Sequence, residues 1–280
     1  MDFVSEKAHP EDVVISLDSD TLFKPDYVQS IEDRFECYPK AVAISVPYFH
    51  DLTSKEAEDR AILRYEIYMR NYAIQMLRIN SPYAFTALGS AMAFRASAYR
   101  AIGGMAPMKS GEDFYFLQQL RKFGSIIISN PQKVYPAARF SNRVFFGTGP
   151  AMIKGDRGDW SSYPIYHKAL FQEVYSVYRQ IKEMYHKDVT TEMLFYKFLQ
   201  VQFKDENFLN PLRKNAKNTA QFVRAFHTKV DGLRVLQFLK SHQININMDD
   251  SALIQENYPE LNPICSQYSG AVSLADFSVD

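Results

Sequence analysis

Up to about residue 150 the chain alternates short β-branched runs with amphipathic stretches, and from Trp160 onward the alternation stops. That change of pattern predicts an α/β layered region followed by a helical one. Val13-Val14-Ile15-Ser16-Leu17 has the length and β-branching of a buried strand. Pro25 opens a helix that runs to about Cys37, with Tyr27, Val28, Ile31 and Phe35 on one face. A second strand is expected from Ala41 to Tyr48, a long helix from Ser54 to about Asn80, and a strand from Ala84 to Phe94 interrupted at Gly89-Ser90. Ser97 to Ile102 reads as a short helix closed by Gly103-Gly104. Glu112 starts a helix that Gly124 ends, and Ile126-Ile127-Ile128 and Val134-Tyr135 read as the last strands. Beyond Trp160 the segments 164–187, 190–204, 211–227 and 231–242 read as helices. The expected division is therefore residues 1–155 and residues 156–280.

Charge narrows the function. Lys+Arg and Asp+Glu are equal at 32 each, which argues against a protein that holds nucleic acid by bulk charge. Cys37 and Cys265 stand far apart with no metal-ligand spacing, which fits a reduced, cytoplasmic setting. The opening Met1-Asp2-Phe3-Val4-Ser5-Glu6-Lys7 lacks the apolar stretch of a signal peptide. No run approaches the roughly 18 apolar residues that span a bilayer, so any membrane attachment is expected to be peripheral. The tail after Pro263 is polar and weakly patterned.

Four constellations carry chemistry. Asp18-Ser19-Asp20 follows an apolar strand, where open α/β sheets bind ligands. Carboxylates at i and i+2 of a strand face the same way and could hold Mg²⁺ or Mn²⁺ against a diphosphate; equally, they could cap the turn before the Pro25 helix. Glu112-Asp113 opens a helix. Ser110-Gly111-Glu112-Asp113 matches a capping box, yet a carboxylate fixed there is also well placed as a general base. Gly89-Ser90 removes bulk where a ligand would approach the backbone, or marks a β-bulge. Arg139 and Arg143, ahead of Gly147-Thr148-Gly149, suit diphosphate recognition as well as they suit surface ion pairs.

Taken in order, VVISLDSDTLFKPDYV, ALGSAMAFRASAYRAIGGM, GEDFYFLQQLRKFG and the RFSNR segment before GTG resemble the family 2, GT-A-type glycosyltransferases over roughly residues 1–150. The resemblance implies a partial GT-A sheet flanked by helices. It implies metal and donor-diphosphate binding by Asp18 and Asp20, a catalytic base at Asp113 with Glu112 beside it, and a sugar and acceptor site lined by Gly89 and Ser90. Arg139 and Arg143 would assist at the diphosphate. The implied partners are a divalent cation (Mn²⁺ or Mg²⁺), a nucleotide-sugar donor and a glycan or lipid-linked acceptor, with inverting transfer in surface glycan synthesis. Two departures stand out. Family members begin with a nucleotide-binding βαβ segment, whereas only seventeen residues precede Asp18. The Gln-x-x-Arg-Trp motif of processive members is also missing. The chain therefore reads as N-terminally incomplete, which leaves an inactive remnant as one alternative. A haloacid-dehalogenase-like phosphatase is another, with Asp18 as nucleophile and Asp20 as acid/base. Against it, Glu112-Asp113 follows polar residues and not an apolar strand.

Overall fold

The computed structural model describes residues 6–52, 55–128, 130–145, 147–189 and 192–262. Phe3, Val4, Cys265 and the tail after Pro263 lie outside them. The described chain is α/β, with a small sheet followed by helices, and it divides into two compact units. One comprises residues 1–73 and 81–163, the other 74–80 and 164–280.

The first unit is built on a four-stranded sheet. It contains β1 (Val13–Ser16), β3 (Ala41–Ser45), β4 (Met92–Arg95) and β5 (Ser125–Ile127), in the order β1-β4-β3-β5. β1 and β3 both run antiparallel to β4, and β3 runs parallel to β5. The central strands are the buried ones: Ala43, Ile44, Ala93 and Phe94 are fully covered. β1 is paired on one side only, so its apolar residues are half-buried and not enclosed as the run of β-branched residues implied. Three helices cover the sheet. Helix α1 (Tyr27–Cys37) turns Tyr27, Ile31 and Phe35 inward at the i, i+4, i+8 spacing of one helical face. Helix α2 (Glu56–Arg78) contributes Ala61, Ile62, Tyr65 and Met69. After the short helix α3 (Ala96–Ala101), helix α4 (Glu112–Phe123) buries Phe116, Leu117 and Leu120, and Phe116 meets Phe94 edge-on with ring centroids 4.8 Å apart. Gly124 then lets the chain turn into β5, because a Cβ there would lie 2.4 Å from a Val42 methyl.

A two-stranded ribbon lies beside the sheet. β2 (Leu22–Phe23) pairs antiparallel with β6 (Val134–Tyr135). Helix α5 (Thr148–Asp156) follows, where the sequence showed only a glycine-rich loop. The expected strand over Ala84–Phe94 is confined to Met92–Arg95. Gly89-Ser90 occupies a turn closed by the Ala91 N–H donating to the Leu88 carbonyl at 2.9 Å, so it is not a bulge within a strand.

The second unit contains helices and no strand among its described residues. It comprises α6 (Lys168–Met184), α7 (Leu194–Phe203), α8 (Asn210–Asn215), α9 (Thr219–Lys229), α10 (Gly232–Gln243), α11 (Asp250–Asn257) and a 3₁₀ turn at Pro259–Leu261. The single helix expected over 211–227 is divided because Asn218 starts a new one. Its side chain accepts the Gln221 N–H at 2.9 Å, satisfying one of the donors that a helix N-terminus leaves open. Asp231 and Asp249 cap α10 and α11 in the same way. The core is aromatic: Phe195, Phe208, Phe222, Phe226 and Phe238 are completely buried.

A buried ionic group ties α2 to the segment after β3. Glu66 Oε1 accepts both the His50 backbone N–H and His50 Nδ1 at 2.7 Å, and Glu66 Oε2 accepts Arg70 at 2.7 Å. Burial pushes the Glu66 carboxyl upward, yet the hydrogen bonds from His50 and Arg70 outweigh it and hold the group below its ordinary value. Removing Glu66 leaves the partly buried Arg70 guanidinium without its counter-charge and the buried His50 N–H groups without their acceptor. Glu66→Ala is therefore expected to cost about 3 kcal/mol, the low end for a buried pair because Arg70 is partly exposed. Denaturant unfolding checks this, and a loss below about 1 kcal/mol would match a surface ion pair instead.

Candidate active site

Strand register assembles the site. The β1–β4 ladder ends with Ser16 opposite Met92, and β3 adds Ser45 opposite the same Met92. The chain leaves β1 towards Asp18 and enters β4 from the Gly89-Ser90 turn at that one end of the sheet. Asp18 and Asp20 are not strand neighbours. They are the first and third residues of a turn closed by the Thr21 N–H donating to the Asp18 carbonyl at 3.1 Å. Asp18 is exposed and Asp20 half-buried.

The ribbon then brings in an arginine from far along the sequence. Pairing of Leu22 with Tyr135 fixes the segment after β6 beside the acidic turn, and Arg139 reaches Asp20 Oδ2 at 2.8 Å. Arg143 is exposed and makes no salt bridge among the described residues. Of the two arginines, only Arg139 joins the acidic turn by a direct ion pair.

Asp113 sits in the first turn of α4. Gly111, the residue before that helix, has φ +76°, a left-handed conformation suited to glycine. No side chain caps this helix, so the capping box expected from the sequence does not form. Ser110 Oγ is buried and finds no partner among the described residues. Asp113 turns its carboxyl towards the Gly89 turn: a Cβ on Gly89 would lie 3.9 Å from Asp113 Oδ2, and the Gly89 N–H bonds the carboxyl. The Phe114 N–H donates to Asp113 Oδ1 at 2.7 Å. Burial outweighs these donors and, with the neighbouring Glu112 charge, pushes the Asp113 pKa up to about 6. Ser90 is 2% exposed and belongs to the wall of this turn.

Three tyrosines that the sequence did not single out stand behind Asp113. Tyr65 and Tyr68 of α2 stack at 5.8 Å, and Tyr163 meets them edge-on at 5.2 Å and 5.5 Å. The buried Tyr65 phenol is pushed well above its ordinary value by burial first, then by Tyr68, Tyr163 and the Asp113 charge, so it stays neutral beside the carboxylate. The Tyr163 hydroxyl accepts the Gly147 N–H at 3.2 Å and fastens the start of α5. The i, i+3 spacing of Tyr65 and Tyr68 was visible in the sequence, whereas Tyr163 is joined to them by folding alone.

No cluster of three or more His, Cys, Asp or Glu side chains suited to a metal occurs among the described residues. Mg²⁺ needs no such cage, since one or two carboxylates with waters and substrate phosphates complete its shell. Asp18 and Asp20 offer hard oxygen ligands of that kind. Thr21 Oγ1, in the next residue, is buried without a hydrogen-bond partner among the described residues. The donor set therefore fits a cation that arrives with a phosphorylated substrate.

A family model described as Glycosyl transferase family group 2 matches residues 13–182. The chain belongs to that family. No curated protein and no solved structure matches it. The glycosyltransferase match begins on β1 and takes in both acidic motifs, which resolves the phosphatase alternative. It makes the chain a transferase that takes a nucleotide-sugar donor and an acceptor. No described helix is long and apolar enough to cross a membrane.

Asp113 also sets a testable link between pH and stability. A carboxyl whose folded-state pKa is raised binds its proton more tightly folded than unfolded, so stability falls as pH rises from 3.8 to about 6 and stays lower above that. Asp113→Asn removes the cost of burying the ionised group. The variant is expected to be more stable than the parent by on the order of 2 kcal/mol at pH 7–8, with the difference vanishing towards pH 4. Thermal unfolding at several pH values checks this, and a pH-independent difference would rule out a titration of Asp113 in that window.

Proposed function

We propose that this glycosyltransferase performs a single inverting displacement with Asp113 as general base. The observation that carries the reading is the Asp113 carboxyl itself: desolvated, aimed by the Gly89 and Phe114 N–H groups, and pushed up to about 6. A base with a pKa just below neutral combines ionisation at pH 7 with enough basicity to accept a proton. Asp113 takes the proton from an acceptor hydroxyl as that oxygen attacks the anomeric carbon. The bond from that carbon to the diphosphate oxygen breaks, and the nucleoside diphosphate departs from the opposite face. Glu112 keeps negative charge beside the base and so helps to hold its proton affinity up.

Asp18 and Asp20 would hold Mn²⁺ or Mg²⁺ against the donor diphosphate. When bound, such an ion supplies Lewis-acid neutralisation of the leaving group. Arg139, already paired to Asp20, adds a fixed positive charge at that turn, and Arg143 lies close along the same segment. Gly89, half-buried at the turn beside Asp113, leaves backbone open to the sugar and acceptor, with the buried Ser90 forming the wall behind it. The acceptor is a glycan or lipid-linked hydroxyl, the process surface glycan synthesis, and the working location the cytoplasmic side with peripheral attachment to a membrane.

Asp113→Asn is expected to lower kcat by about 10²–10⁴-fold while the fold is retained, and parental activity to fall about tenfold per pH unit below 6. Radiolabelled sugar transfer at saturating donor reads both, and a variant with normal kcat would remove Asp113 from the role. Asp18→Asn and Asp20→Asn are expected to abolish the heat of nucleoside diphosphate binding in the presence of Mn²⁺. Absence of that heat in the parent chain would favour a remnant without donor-binding activity.

A further inference from the structure

The chain is neutral as a whole, yet from Asn207 to Val230 it carries no acidic residue and five cations: Arg213, Lys214, Lys217, Arg224 and Lys229. Arg213 is committed to the fold, donating to the Met184 carbonyl and to Asp188, each at 2.6 Å. Lys214, Lys217, Arg224 and Lys229 are all exposed, and none forms a salt bridge with a carboxylate among the described residues. The positive surface continues onto α10, because Lys229 and Arg234 both lie over the Phe203 ring, at 4.3 Å and 5.5 Å from its centroid. Arg224 and Lys229 line one depression of that surface; like charges so placed repel one another, and a partner of opposite charge relieves that repulsion.

Between α8 and α9 lies a shallow, open groove of about 480 Å³, lined by Leu212, Gln221, Arg224, Ala225, Thr228 and Lys229. Leu212 and Ala225 supply apolar surface, and the long stems of Arg224 and Lys229 extend it while their charges remain in water. A groove with apolar walls and a cationic rim matches an amphiphile whose anionic headgroup meets the rim. Single-stranded nucleic acid fits less well, because it stacks its bases on open aromatic rings. Here Phe222 and Phe226 are fully buried and Phe203 is covered by two cations.

We propose that the α8–α9 face docks on an anionic phospholipid surface, with Arg224 and Lys229 against the headgroups, the exposed Lys214 and Lys217 of the same cation-rich segment adding to the attraction, and the apolar floor of the groove meeting the headgroup–acyl boundary. This gives the peripheral attachment in the functional reading a specific surface, and it does not depend on the chemistry at Asp113. A basic side chain near an anionic bilayer contributes about 1 kcal/mol, close to a fivefold change in affinity.

The test is co-sedimentation of the full chain with phosphatidylcholine vesicles, with and without about one third phosphatidylglycerol. Binding is expected only to the anionic vesicles and is expected to collapse at about 0.5 M NaCl. The double variant Arg224→Glu/Lys229→Glu is expected to bind at least about 25-fold more weakly, whereas Arg224→Lys/Lys229→Arg retains binding. Both variants keep transfer to a soluble acceptor, which separates failure of docking from failure of the catalytic reading. Equal binding to neutral and anionic vesicles, or parental affinity in the charge-reversed variant, would overturn the proposal. So would tighter binding to a polyglutamate peptide than to the vesicles, or displacement from the vesicles by millimolar inorganic phosphate.

Discussion

The antiparallel pairing of β1 with β4 is the constraint on which the site depends. Its last rung, Ser16 opposite Met92, brings the acidic turn and the Gly89-Ser90 turn out at one end of the sheet. A shift of one residue would reverse which face of β1 meets the core. Val13, Ile15 and Leu17 pack against the buried cluster, so that reversal would expose apolar surface and carry Asp18 and Asp20 out of place. Hydrophobic burial along an edge strand thus fixes the position of two carboxylates that make no contribution to the core.

Around this frame the protein sustains local arrangements that do not favour stability. Asp113 is kept in a dry environment that raises its pKa, and Ser110 Oγ before its helix and Thr21 Oγ1 of the acidic turn are buried without partners among the described residues. Unsatisfied polar atoms are costly and concentrate where a ligand or solvent completes them. The cost is offset by rigid neighbours. The Tyr65–Tyr68–Tyr163 cluster packs behind the carboxyl, and the His50–Glu66–Arg70 group holds α2 to the segment after β3. Helix α2 carries members of both groups, so its position governs the base and the core together.

The two units handle charge differently. In the first, the Arg139–Asp20 pair is local and fixed by the β2–β6 ribbon. In the second, helix caps and aromatic packing specify the fold, and α8 and α9 leave cations on the surface. That freedom allows a surface function there without disturbing the phenylalanine core.

Much of the layout was legible in the sequence because hydrophobic period and helix punctuation act locally. The helices after Pro25, from Glu112 and from Lys168 lie close to where their apolar spacing placed them. The acidic turn and Glu112-Asp113 stood out because paired carboxylates there recur in the order of the family's motifs, although each alone also suits a turn or a helix start. Other features depended on partners distant in the chain. β1 became half-exposed because pairing on only one side was a matter of topology. Gly89 came to Asp113 because the β4 turn and the α4 N-terminus meet in space, and Tyr163 joined Tyr65 for the same reason. Arg139 rather than Arg143 reached Asp20 because a two-residue ribbon, too short to announce itself by periodicity, set the direction of the chain. The sequence by itself determined the α/β-then-helical layout, the family motifs and the identities of the acidic residues. Tertiary structure alone decided which of them are dry, paired or exposed, because desolvation and ion pairing depend on distance in space and not on distance along the chain.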